Sequence, residues 1–140
     1  MKRALGLDLG TKTIGLAVSD ELGFTAQGLE TLARRGSRQD LEALQALAAE
    51  LAVSRFVLGL PLNLDGTEGP RARATRDFGE ALAAASGLPV TYQDERLTTQ
   101  EANRTLLAAD VSRRKRKLVV DQLAASLILQ GWLDAQPKEP

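Results

Sequence analysis

Three carboxylate positions stand out by where they fall in the chain: Asp8, Glu95 with its neighbour Asp94, and Asp121. Asp8 interrupts the apolar run Ala4-Leu5-Gly6-Leu7-Asp8-Leu9-Gly10. A bare carboxylate inside a strand costs a large desolvation free energy unless a cation compensates it. Glu95 follows a second apolar run, at the carboxyl end of an expected strand, and ligands of open α/β sheets gather beyond such ends. Asp121 lies near the start of a helical stretch, Val119-Val120-Asp121-Gln122-Leu123-Ala124-Ala125, whose small residues would let it approach a sheet closely. Acids brought to one point repel each other and stay ionised only with cations between them. One or two divalent ions are therefore expected. A pair of ions ~3.5–4 Å apart can clamp the attacking and leaving oxygens of a phosphoryl displacement.

Each acid also has a purely structural reading. Asp8 could cap the turn at Gly10–Thr13, and Asp121 could be a solvated helix residue. Asp94 and Glu95 are adjacent and so face opposite sides of a strand, which leaves the choice between them open on pattern alone.

The rest of the inventory narrows the chemistry. There is no cysteine and no histidine in the 140 residues. That excludes disulfides, zinc–thiolate sites, cysteine nucleophiles, Ser-His-Asp triads and histidine-ligated metals. Carboxylates, Lys, Tyr and hydroxyls remain, an oxygen-donor set that suits Mg²⁺ or Mn²⁺. Lys+Arg and Asp+Glu both total 18, so net charge points to no partner, but the distribution does. The run Arg113-Arg114-Lys115-Arg116-Lys117 is either a solvated segment or a meeting place for a phosphate backbone. Arg71, Arg73 and Arg76 could extend a basic surface, and Lys12 could contact a phosphate near Asp8. No run reaches the ~18 apolar residues of a membrane span, and Asp8 breaks any signal-peptide pattern. A cytoplasmic protein without membrane association is expected, as one domain over 1–140 with a frayed tail at 136–140.

The elements that must position these residues follow from periodicity. Strands are expected at about Arg3–Leu9, Ile14–Ser19 and, more weakly, Phe24–Leu32. Ser37 is the expected N-cap of a helix carrying Asp40 in its first turn and Leu41, Leu44, Ala48 and Leu51 on one face. A strand at Arg55–Leu60 ends at Pro61, before the turn-rich loop Asn63–Thr67. A helix over Pro70–Ala85 is expected with Ala74, Phe78, Ala81, Leu82 and Ala85 inward. It is followed by a strand at Leu88–Gln93. Thr98 and Glu101 form a capping box for a short helix, Thr99–Ala108. The basic run then precedes a last helix, about Lys117–Ala135. The order β-β-β-α-β-α-β-α-α predicts an α/β fold: a mixed five-stranded sheet with helices on both faces.

Four motifs in order resemble the YqgF (RuvX) family over nearly the whole chain, from Leu5 to about Leu133. They are Gly6-Leu7-Asp8-Leu9-Gly10-Thr11-Lys12, Gly59-Leu60-Pro61-Leu62-Asn63 with Asp65-Gly66-Thr67, Asp94-Glu95-Arg96-Leu97-Thr98-Thr99, and Asp121-Gln122-Leu123-Ala124-Ala125. The resemblance implies a ribonuclease H-like fold and a metal-dependent nuclease for pre-16S rRNA processing, Holliday junction resolution or both. It implies catalytic, metal-holding carboxylates at Asp8, Glu95 and Asp121, with Glu95 chosen over Asp94. It also implies an RNA or branched-DNA partner, with backbone phosphates held by Lys12, Arg96 and the run Arg113, Arg114, Lys115, Arg116 and Lys117. RuvC-type resolvases, the wider relatives, carry a further acid one helical turn beyond the last aspartate. Here that position is Ala124. Resolving a four-way junction would need two sites and hence a homodimer.

Two other classes compete. Gly6–Thr13 also resembles the first phosphate loop of the actin, Hsp70 and sugar-kinase superfamily, whose members need two such domains across a cleft. A non-catalytic RNA- or ribosome-associated module could keep the fold without cutting anything.

Overall fold

The computed structural model describes residues 3–96 and 112–137. The chain opens with three strands, β1 (Arg3–Leu9), β2 (Thr13–Ser19) and β3 (Ala26–Ala33). Helix α1 (Ser37–Glu50), strand β4 (Val53–Leu60), helix α2 (Pro70–Ser86) and strand β5 (Val90–Asp94) follow. Helix α3 (Arg113–Ala135) closes the described chain. The expected short helix at Thr99–Ala108, with its Thr98/Glu101 capping box, lies outside the described residues.

The five strands form one mixed sheet in the order β3-β2-β1-β4-β5. β1 pairs antiparallel with β2 and parallel with β4, and β4 pairs parallel with β5. The tight turn Gly10–Thr13 joins β1 to β2, closed by Gly10 N–H donating to the Thr13 carbonyl at 2.9 Å. β1 therefore sits centrally, with both neighbours paired to it. This is why its residues can be apolar on both faces.

Strict alternation on β1 sorts its side chains between two layers. Leu5 and Leu7 point into a core with Phe56 and Leu58 of β4, Leu44 and Ala48 of α1, and Phe78 and Leu82 of α2. Ala4 points the other way, to Ala125, Ile128, Leu129, Trp132 and Leu133 of α3. Gly6 shares that face. A Cβ there would come within 2.8 Å of Leu129 Cβ and 3.1 Å of the Ala125 carbonyl, so the glycine is what lets α3 lie directly on β1. α3 contacts all five strands. α1 and α2 cover one face and α3 the other, as the order of elements predicts.

Three expectations need correction. Gly36, at φ 122°, is the N-cap of α1, and Ser37 is its first residue with no side-chain capping bond. Asp40 stands in the first turn of α1 as expected. It is buried and accepts from Arg35 N–H at 3.0 Å and Arg34 Nε at 3.2 Å, tying the end of β3 to α1. The inner face of α2 carries Ala72, Thr75, Phe78, Gly79 and Leu82. Ala74, Ala81 and Ala85 are exposed, because alanine is too weakly hydrophobic to set a helix's rotation against Phe78 and Leu82. The last helix starts at Arg113, four residues earlier than expected, because Ser112 caps it by accepting from Lys115 N–H at 3.3 Å. The basic run is thus the first turn of α3 rather than a preceding loop. Among the described residues, no helix is long and apolar enough to cross a membrane.

Candidate active site

Asp8 belongs to the face of β1 that carries Ala4 and Gly6, so it lies on the α3 side of the sheet near the carboxyl end of the strand. Its register partner across β2 is Gly15. Two small groups meet there: a Cβ on Gly15 would lie 3.4 Å from Asp8 Cβ and 3.6 Å from Ala125 Cβ. A larger residue at 15 would push against both the acid and the helix above it.

On the other side of β1, Leu58 of β4 lies beside Leu7, and Gly59 follows it towards the carboxyl end. Gly59 in turn pairs with Gln93 of β5. The missing side chain at 59 leaves the space that Glu95 fills. A Cβ there would collide with Ile128 Cδ1 and stand only 2.5 Å from Glu95 Oε1. Glu95, where the backbone turns helical past β5, thereby reaches back across β4 and hydrogen-bonds Asp8.

The electrostatics of this pair are unusual. Burial above all, and with it the hydrogen bond to Asp8 and the charge of Asp8, pushes the Glu95 carboxyl up to about 8. The charge of Arg71, at the start of α2, opposes the shift. At neutral pH a proton thus sits between the two acids, donated by Glu95 to Asp8. Asp94 takes a different path. Its carboxylate is held below the usual range by hydrogen bonds from Arg96. Arg96 grips it with Nη2 at 2.7 Å and Nε at 3.1 Å. The two adjacent acids therefore differ completely: one faces Asp8 and the other is neutralised by a guanidinium.

Asp121 occupies the helical backbone of α3 exactly one turn before Ala125, the residue that packs beside Gly15 and Asp8. The placement of its side chain lies outside the described residues, as do those of Arg113, Arg114, Arg116 and Lys117. Lys115 is exposed on the first turn of α3, and Lys12 is exposed in the β1–β2 turn. Among the described residues, no three acidic, histidine or cysteine side chains gather in one group.

Arg96, expected at a backbone phosphate, is bonded within the chain. Besides Asp94, it donates through Nη1 to the carbonyls of Leu64 at 3.1 Å and Asn63 at 3.5 Å. It pins the β4–α2 loop to the end of β5. Arg71 is the cation that pattern reading underrated. It was legible only as one of several arginines on α2, and its proximity to Glu95 depends on how α2 packs.

The pair fits a divalent cation. Both groups are oxygen donors, and burial beside Asp8 keeps a proton on Glu95, a positive charge that a bound cation would replace.

A mixed five-stranded sheet in this order, covered on both faces, with acids at the carboxyl ends of its strands, defines the class as ribonuclease H-like. Solved structures agree on the fold. Thermus thermophilus RuvC in complex with a Holliday junction substrate superposes with a TM-score of 0.59 at 13% identity, covering 99% of this chain and 100% of that one. The fowlpox virus Holliday junction resolvase gives 0.55 at 11% identity, covering 96% and 99%. At the level of sequence, the RuvX family model, described as Holliday junction resolvase, matches residues 2–135. A Myxococcus xanthus protein named "Putative pre-16S rRNA nuclease" is 60% identical over 133 residues, covering 95% of this chain and 88% of its own length. A Symbiobacterium thermophilum protein of the same name is 56% identical over 135 residues, covering 96% and 94%. The chain belongs to the RuvX family.

Proposed function

We propose that this chain is a divalent-metal-dependent nuclease that hydrolyses phosphodiester bonds, and that Asp8, Glu95 and Asp121 are its catalytic carboxylates. The observation that carries this reading is the Asp8–Glu95 contact across Gly59: one acid on β1 and one just past β5, held together where a cation would replace the proton on Glu95. Family membership supports the nuclease class, and the names of the relatives point to pre-16S rRNA as the substrate. The family description points to branched DNA as the other candidate.

Asp8 and Glu95 would hold Mg²⁺ or Mn²⁺ directly, as one ion or two, with Asp121 approaching from α3. When bound, such ions activate water and stabilise charge on the leaving oxygen of a phosphodiester. The chain's own groups prepare that chemistry. Asp8 is fixed by the central strand, and Glu95 is fixed by the gap at Gly59, so neither must reorganise. Arg71 places a positive charge beside Glu95, where an incoming phosphate would carry its negative charge. Lys12 and the first turn of α3, Arg113–Lys117, would meet backbone phosphates on either side. Residues 1–140 would act as a single unit, either as one copy or as a homodimer.

The test is cleavage of a labelled panel with Mg²⁺ and with Mn²⁺: pre-16S rRNA leader, single-stranded RNA, single-stranded DNA and a four-way DNA junction. Metal-dependent cleavage that disappears in Asp8→Asn is the expected result. Undiminished activity in a clean Asp8→Asn preparation, or neither Mn²⁺ binding nor cleavage by the native chain, would sink this reading. The latter outcome would favour a non-catalytic module.

A further inference from the structure

The β4–α2 loop turns its polar groups inward and its apolar side chain outward. Leu64 at its tip is 90% exposed, more than any other large hydrophobic residue among those described. The loop beneath it is thoroughly bonded. Asn63 N–H donates to the Thr67 carbonyl at 2.9 Å, and Gly66 N–H donates to the Asn63 carbonyl at 2.8 Å. Asn63 Nδ2 donates to Thr67 Oγ1 at 3.0 Å, and that hydroxyl donates to Asp65 at 2.6 Å. Gly66, at φ 88°, takes the left-handed turn that lets the Arg96 guanidinium lie 3.6 Å from where its Cβ would be. Arg96 holds the Leu64 carbonyl itself. The backbone of Leu64 is therefore fixed while its side chain touches nothing that would bury it.

The location gives this exposure a use. Arg96, which grips the loop, and Asp94, which holds Arg96, flank Glu95 on both sides in sequence. The loop also leaves β4 one residue after Gly59, the residue across which Glu95 reaches Asp8. The charges of the loop's acids are opposed by guanidinium groups: Glu68 is paired with Arg76 at 2.6 Å, and the Asp65 carboxylate, held ionised by its hydrogen bonds from Thr67, feels the charge of Arg96. The surface next to the acids is thus an apolar tip on a rigid support, with the exposed Arg71 and Arg73 at the start of α2 immediately after it.

We propose that Leu64 is a wedge that inserts between stacked bases at a boundary between paired and unpaired nucleic acid, and so presents the adjoining phosphodiester to Asp8 and Glu95. Nucleic-acid-binding proteins use rigidly held leucines in this way, offsetting unstacking by the extra contacts that a distorted strand permits. The inference deepens the nuclease reading above and rests on it. Leu64 is a specificity residue, and Arg96 is a positioning residue that acts through it.

The experiment uses the full chain. In an Asp8→Asn background with Mg²⁺, binding is followed by 2-aminopurine fluorescence, with the probe at the paired/unpaired boundary of an RNA hairpin and of a DNA fork. A fluorescence rise on one or both probes is expected. Adding Leu64→Ala should abolish it, adding Leu64→Met should restore it, and affinity for a fully unpaired oligonucleotide should not change. In the otherwise native chain, Leu64→Ala should slow cleavage at the boundary on the order of tenfold and leave cleavage of unpaired strands intact. An equal rise with and without Leu64, or no rise at saturation on either probe, overturns the wedge. If the native chain cuts nothing with either metal, the nuclease reading fails, while the fluorescence still decides the wedge. Because Leu64 is exposed, the alanine variant is expected to fold normally, which its circular dichroism and denaturation midpoint check.

Discussion

Glu95 keeps its proton at neutral pH because it is buried beside Asp8, whose hydrogen bond and charge add to the effect of burial. Neither has a histidine nearby to take the charge, and water reaches the pair only in part. The consequence is a pH dependence with a definite sign. Glu95 titrates at about 8 in the folded chain against an ordinary 4.5, so the folded state holds its proton more tightly than the unfolded chain does. Its contribution to stability is therefore complete below about pH 4.5 and is lost as pH rises through about 8. Metal-free protein should show a urea midpoint that declines over this window. Glu95→Gln should flatten the decline, and an unchanged decline in that variant would contradict the assignment. The same proton should be released when Mn²⁺ binds at pH 7. Calorimetric titrations in buffers of different ionisation enthalpy should therefore give different apparent heats, and buffer-independent heats would mean that the cation does not replace it.

At the scale of elements, the site exists because α3 and β5 come close to strands that have lost their side chains. Gly6 admits α3 to β1, and Gly59 admits Glu95 to Asp8. Gly59→Val should displace Ile128 and Glu95 together. Overpacking of this kind typically costs about 1–3 kcal/mol. Nuclease activity should fall more than stability does, since the pair is driven apart. Retained activity at lowered stability would show that the gap matters only for packing. The β3–α1 junction offers a contrasting case away from the site. Asp40 is 1% exposed and accepts from Arg34 and Arg35. Asp40→Ala leaves those donors unsatisfied at a cost of about 1–3 kcal/mol. Denaturation should report the loss, while cleavage per folded molecule stays near normal.

For the whole molecule, a net charge of +0 conceals a polarised arrangement. The cations Arg113–Lys117 form the first turn of α3, the helix that also carries Asp121. Cations at a helix N-terminus oppose the helix dipole, which favours anions there. An arrangement that is slightly unfavourable by itself becomes favourable once phosphates lie against it. Replacing this run with alanine should weaken nucleic-acid binding with little dependence on sequence. The slope of log K against log salt should shrink by about one for each cation that meets a phosphate. An unchanged slope would reduce the run to a solvated turn.

Much of this protein was legible in its residues. The order of strands and helices specified a mixed α/β sheet, and Asp8 within an apolar strand, with no His or Cys in the chain, marked where an oxygen-ligand site is proposed. These features are local: desolvation, donor chemistry and periodicity act on neighbours in sequence. Tertiary structure decided the rest. Alternation along the chain left Asp94 and Glu95 equivalent and only the family resemblance chose Glu95; the packing of β5 and β4 beside β1 is what sets Glu95 against Asp8 and leaves Asp94 to Arg96. The guanidinium of Arg96 was expected at a phosphate but reaches carbonyls more than thirty residues away, at Asn63 and Leu64. Gly59 was legible only as part of a motif, and Leu64 carried no signal of its own. A glycine in a strand and a leucine in a loop acquire meaning only from what stands opposite them, and that is set by the packing of distant segments.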